Sequence, residues 1–146
     1  MSVEQNKATV RHWFGEMVKG TTELPALLAA LDETFAPEFV DHDGPDPQHG
    51  REALKRALPG LLTALPDAHF IIEHLIGEGE LVAVRLRGEA THTGKVMSIV
   101  PTGKHITWTE NELVRFEHGR IVESWGEGTV DQALAAIGLA FKGHGE

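Results

Sequence analysis

Cysteine is missing altogether from this 146-residue chain. That excludes a disulfide scaffold, a thiol nucleophile and Cys-ligated metal or iron–sulfur centres. Basic residues are scarce: 13 Lys and Arg stand against 22 Asp and Glu, for a formal charge of −9. Clustered Lys and Arg are what nucleic-acid phosphates and anionic membrane surfaces require, so neither partner is expected. Long apolar runs are missing too. The longest, such as Leu24 to Leu31, are about eight residues, far short of the ~20 that a membrane-spanning helix needs. The opening MSVEQNK has no basic segment followed by an apolar one, so no secretory leader is expected. No internal repeat, Gly-x-Gly-x-x-Gly, P-loop or Gly-x-Ser-x-Gly pattern occurs, which leaves nucleotide binding and serine hydrolysis without support. Nine histidines are present, but none in His-x-His or His-Glu-x-x-His spacing, so no metal site is expected. These absences predict a soluble, cytoplasmic protein, and the length fits one domain over residues 1–146.

What is present changes period part-way along. Ser2 and Gln5 form a capping-box pattern, followed by Val3, Val10, Trp13, Phe14, Met17 and Val18 at helical spacing, with Gly20 as the stop. Leu24, Leu27, Leu28, Leu31 and Phe35 predict a second helix closed by Pro37. Glu38 to His42 is a short extended piece leading into the Gly/Pro loop 43–50. A third helix begins near Arg51 and carries Leu54, Leu58, Leu61, Leu62 and Leu65, with Pro59-Gly60 expected to kink or split it. From Ala68 the pattern alternates. Ala68–Ile76, Leu81–Thr91, His105–Glu117 and Arg120–Glu127 read as four strands, with hairpin turns at residues 77–80 and 118–119. Thr129 with Gln132 suggests another capping box, and Val130, Leu134, Ile137 and Phe141 a last helix. Helices, then an antiparallel meander, then a helix is an α+β order, with helices covering one face of a curved sheet and leaving a cavity where the sheet bends away.

Strand parity then sorts the side chains. In the third strand Ile106, Trp108, Glu110, Glu112, Val114 and Phe116 share the apolar face. Two glutamates on that face, about 7 Å apart by strand rise, raise each other's affinity for protons and suit proton transfer near neutral pH. Two structural alternatives stand beside this reading. A bulge after Trp108 would turn the glutamates to solvent, or Arg85, Arg87 or Arg115 would pair with them. His92 closes the apolar row Val82, Val84, Leu86, Gly88, Ala90. His42 lies at the mouth of the loop, as pocket lining or loop cap. Trp13 and Phe14 are core or pocket wall, His74 shares a face with Phe70, Ile72 and Ile76 as a core or solvent residue, and Trp125 shares a face with Ile121, Glu123 and Glu127 or sits in a subunit interface.

Four stretches carry a family resemblance: Phe35-Ala36-Pro37-Glu38-Phe39-Val40-Asp41-His42, Thr91-His92-Thr93-Gly94, Val100-Pro101-Thr102-Gly103-Lys104, and His118-Gly119-Arg120-Ile121-Val122-Glu123-Ser124-Trp125. Together they resemble the SnoaL-like polyketide (ester) cyclases of the nuclear transport factor 2-like superfamily, from about Asn6 to Leu134. The resemblance implies a cone-shaped α+β barrel, usually a homodimer through the sheet. It also implies an intramolecular aldol condensation without cofactor or metal, in which a histidine and an aspartate on neighbouring strands move the protons. Carried onto this chain, the histidine position falls on Glu112 and the aspartate position on Gly126, beside Glu127, while the Thr-His-Thr-Gly histidine corresponds to His92. The segment Thr21 to Ala30 is longer than usual for the family.

The expectation is a cofactor-free enzyme acting on a hydrophobic, carbonyl-rich molecule. Glu112 is the general acid/base, with Glu110 and His92 beside it. His42, Trp13, Phe14, Trp108, Phe116 and Glu127 bind substrate, with Glu127 standing in for the missing aspartate through a shifted register. Two alternatives remain: an epoxide-type hydrolase using the same carboxylates, and a pocket protein that binds a small apolar ligand without turning it over.

Overall fold

The computed structural model describes residues 2–95 and 99–138. Helix α1 (Val3–His12) runs into a single π-turn (Trp13–Met17), and α2 (Leu24–Thr34) passes directly into strand β1 (Phe35–Asp41). After a short 3₁₀ turn follow α3 (Gly50–Ala64), β2 (His69–Glu78), β3 (Leu81–Thr91), β4 (His105–Glu117), β5 (Arg120–Gly128) and α4 (Val130–Ala135). The five strands form one curved, open sheet in the order β1-β5-β4-β3-β2. All pairs are antiparallel except β1 with β5.

The α+β order read from the sequence is the observed one, with informative differences. The extended piece before the loop is a full fifth strand. It starts at Phe35, which leaves the second helix for the sheet. Pro37 fits there because β1 is an edge strand and Pro37 lies where its pairing with β5 is irregular. Helix α3 is not split at Pro59. Its leucine face packs on the sheet (Leu54, Leu58 and Leu62 join the core), and that packing outweighs the one backbone bond a proline removes. The capping box at Ser2 is present in both directions, at 2.9 and 3.1 Å. The one expected at Thr129 is not: its hydroxyl instead accepts the Thr109 N–H at 3.0 Å, tying α4 to β4. Phe141 and the polar tail lie outside the described residues.

The core lies between the helices and the inner face of the sheet. Val10, Leu27, Leu31, Phe39, Val82, Leu86, Val114, Phe116 and Ile121 are buried there, and a second cluster gathers Leu65, Ala90, Ile106, Trp108, Leu134 and Ile137. Two bulges adjust the parity. One between Ile72 and His74 turns His74 and Ile76 outward while Leu75 packs inward. One opposite Arg115/Phe116 sends Ile121 into the core, although Trp125 faces out. No helix among the described residues is long and apolar enough to cross a membrane.

Candidate active site

Strand β4 pairs with β3 in unbroken register from Leu81↔Arg115 to Thr91↔His105. No bulge follows Trp108, so Trp108, Glu110, Glu112 and Val114 all point to the inner face. They line a cavity of about 820 Å³ between the sheet, α3 and the π-turn. The π-turn widens the end of α1, and Trp13 and Phe14 on it form one wall. Trp13 packs edge-on against Phe35 (ring centroids 5.1 Å apart), and Phe70 stands between Phe14 (5.7 Å) and Trp108 (5.9 Å) in the same fashion. Leu54, Leu58, Leu61 and Leu62 of α3 close the opposite side. The Trp108 indole lies across Gly88, directly opposite on β3, where a Cβ would collide with the ring.

The polar end of this apolar cavity is acidic. Trp108 Nε1–H donates to Glu110 Oε2 at 2.8 Å. Burial raises the Glu110 pKa, the indole hydrogen bond opposes it, and Asp131 adds to it. Glu112 is raised well above the usual carboxylate range, first by burial and then by the charges of Glu110, Asp41 and Asp43. Among the described residues Glu112 has no hydrogen-bond donor, and neither glutamate has a cationic partner. The arginines that sequence reading offered as partners are occupied elsewhere or unpaired with the glutamates. Arg85 binds Glu73 and Asn111 (both 3.3 Å), and Arg115 binds Glu117 (2.6 Å) and Glu123 (2.8 Å). A raised-pKa carboxyl in an apolar hollow is a proton donor and acceptor near neutral pH.

Gly126 explains where the Glu112 carboxyl sits. It is paired directly with Glu112 across β4–β5, and a Cβ on it would collide with the Glu112 carboxylate. Glycine here is a space requirement. Gly126→Ala should push the Glu112 carboxyl out of place. Because the obstructing atoms are the far end of a flexible side chain, melting temperature should move by only a few degrees.

Glu110, Glu112, Trp13, Phe14 and Trp108 therefore meet at one cavity. Other expected site residues do not. His92 is fully buried outside the cavity lining. Its Nδ1 accepts the Thr102 N–H (3.2 Å) and lies 3.0 Å from the Thr102 hydroxyl, so it anchors the β3–β4 connection. His42 lies on the outer face of the sheet, stacked on Trp125 (4.9 Å, 6°) with Nε2 2.7 Å from Glu123 Oε2. Phe116 is 2% exposed in the core, away from the cavity. Glu127 touches the cavity but is exposed, and the register that pairs Gly126 with Glu112 sends the neighbouring Glu127 to the other face.

Sequence reading missed Asp41, Asp43 and Asp131, which all line the cavity. Asp43 is the most telling. Pairing of β1 with β5 ends where the His42 N–H meets Ser124 O at 3.0 Å. The next N–H on that edge of β5 belongs to Gly126, and Asp43 Oδ2 accepts it at 2.8 Å. Parity cannot place a side chain in a Gly/Pro loop; the only signal available was the Asp-x-Asp-Gly run itself. Among the described residues, no group of three or more His, Asp or Glu is arranged to hold a metal ion.

The SnoaL-like polyketide cyclase family model matches residues 17–134. This chain belongs to that family. Among solved structures, the SnoaL-like chain is similar to AclR of Streptomyces galilaeus, described as a proposed hydroxylase. Identity is 26%, with 94% of this chain and 83% of that one covered, at a TM-score of 0.71. It is likewise similar to IdmH of Streptomyces antibioticus, a proposed polyketide cyclase, at 25% identity, 92% and 99% coverage and TM-score 0.71. A SnoaL-like protein from Jannaschia sp. CCS1 shares the fold at 20% identity, with 92% of each chain covered and TM-score 0.73. No curated protein matches the sequence. The SnoaL-like chain shares its cone fold with these structures.

Proposed function

We propose that this chain is a cofactor-free cyclase-type enzyme that performs aldol ring closure on a hydrophobic, carbonyl-rich small molecule of polyketide-like character. The observation that carries this reading is Glu112, a carboxyl held proton-rich inside an aromatic-walled cavity with no counter-ion among the described residues. A base takes a proton from a carbon beside a carbonyl. The electron pair moves onto that carbonyl oxygen, and the resulting enolate carbon attacks a second carbonyl held nearby. In a conjugated aromatic substrate the enolate is spread over the substrate's own carbonyls, so the protein's tasks are holding the folded chain and moving protons. Trp13, Phe14 and Trp108 hold the flat apolar part, and Glu112 and Glu110 move the protons. Ile76 and Leu113 are exposed on the outer face of the sheet, which supports the homodimer that the resemblance implies. An acidic, cysteine-free chain of this kind fits a cytoplasmic setting.

2-Tetralone is a suitable probe because it carries an acidic C–H beside a carbonyl on an aromatic frame. In D₂O near pH 7, the protein should accelerate deuterium uptake at its C1 position, followed by proton NMR, about 100-fold over buffer and over an equal load of an unrelated acidic protein. Exchange no faster than the controls would remove the proton-transfer reading and leave a binding role.

A further inference from the structure

We propose that Asp43 is a catalytic carboxylate of this site, the base that works opposite Glu112 across Gly126. This rests on the proton-transfer reading above and adds a loop carboxylate to the two on β4.

The geometry separates the four neighbouring carboxyls by what each is free to do. Glu110 has Oε2 bound by the Trp108 indole at 2.8 Å. Asp41 is held at the end of β1, with Ser124 Oγ donating to its Oδ1 at 3.4 Å and further interactions besides. Glu112 accepts nothing among the described residues and lies over Gly126, filling the space a side chain there would need. Asp43 reaches the same glycine from the loop side. Its Oδ2 takes the Gly126 N–H at 2.8 Å, which fixes the carboxylate against the cavity, while Oδ1 has no partner among the described residues. Gly126 is therefore the point where two carboxyl groups from different parts of the chain converge. One comes in over its α-carbon and the other onto its amide.

Two carboxyls in unlike surroundings divide acid and base roles. Glu112, without donors and crowded by negative charge, keeps its proton and gives it. Asp43, fixed by a backbone amide, receives one. The Asp43 carboxylate takes a proton from the carbon beside a carbonyl, and the C–H electron pair becomes the C=C bond. The carbonyl π pair moves to oxygen and takes the Glu112 proton. Enol, protonated Asp43 and ionised Glu112 result, and the reverse steps restore the starting state. Neither oxidant nor co-reactant enters.

The test is deuterium exchange into 2-tetralone by the full chain. Asp43→Asn keeps an oxygen for the Gly126 N–H and removes the base. Exchange should fall about 100-fold or more with the melting temperature within about 3 °C. Asp43→Ala should be slow alone and recover about tenfold or more on adding 0.1 M formate, a small base that fits the vacated space. That recovery decides the matter even if the asparagine variant folds poorly. Wild-type exchange in Asp43→Asn, or an Asp43→Ala variant indifferent to formate, would overturn the role of Asp43. If Glu112→Gln is still inactive in that case, the broader proton-transfer reading stands; if both variants exchange normally, both readings fall.

Discussion

Glu112→Gln should lose about 100-fold or more of the catalysed exchange while becoming the more stable protein at neutral pH. Both effects follow from one fact. The folded chain holds the Glu112 proton far more tightly than the unfolded chain does, chiefly because burial disfavours the charged form, with Glu110, Asp41 and Asp43 adding repulsion. The amide of glutamine has the same shape but neither gives nor takes a proton at these pH values. For stability, a carboxyl with a raised folded pKa has no effect at low pH, where it is protonated in both states. Above the unfolded value of about 4.3, the folded state binds the extra proton, so wild-type stability declines as pH rises. The slope approaches about 1.4 kcal/mol per pH unit for this one group until the folded pKa is passed. Glutamine removes that contribution. Urea unfolding of both proteins at pH 4 and pH 8 should give nearly equal stabilities at pH 4 and a more stable variant at pH 8. A variant less stable than wild type at pH 8 would mean that Glu112 is held by a favourable partner, and the site chemistry would need rethinking.

Gly94→Ala should be the more damaging change to the fold. Gly94 lies against the end of α3, where its N–H donates to Ala64 O at 3.0 Å. A Cβ there would run into the Thr63 carbonyl, and would lie 2.9 Å from its carbon and 3.1 Å from the Ala64 Cα. Every obstructing atom is backbone, so relief requires moving the helix end or the strand exit, beside the loop that His92 anchors. A loss of about 2–3 kcal/mol is expected, or roughly 5–10 °C in melting temperature for a chain of this size. Gly60→Ala is the matched control. Gly60 lies inside α3 with nothing within 4 Å of its would-be Cβ, so alanine should raise stability by about 0.5–1 kcal/mol through helix propensity alone. Equal behaviour of the two glycine variants would contradict the close approach at Gly94.

The sheet was readable because its period is two and one face is buried. β4 alternates without interruption, and that alone put Trp108, Glu110 and Glu112 on the inner face. Reading failed wherever alternation is broken or absent. The bulge after Ile72 and the one near Ile121 separated His74 from Phe70 and Ile72, and Ile121 from Trp125. Such insertions depend on long-range pairing that no local pattern announces. His92 follows the parity correctly, as a buried residue, yet burial was not the same as facing the cavity: its ring meets Thr102 instead. Asp43 was invisible for the opposite reason. It lies in an irregular loop, and only the point at which β1 stops pairing with β5 gives its side chain a destination.

An early end to β1 also changes what can vary without disturbing the scaffold. Strands hold their side chains at fixed intervals, so the separation of two groups within a sheet cannot be adjusted gradually. A group delivered by a connecting segment and pinned by a single amide can be. Lengthening or shortening residues 44–48 would slide one acid relative to the other while leaving every rung of the ladder intact. Relatives of this chain could thus serve substrates of different girth by trimming a loop.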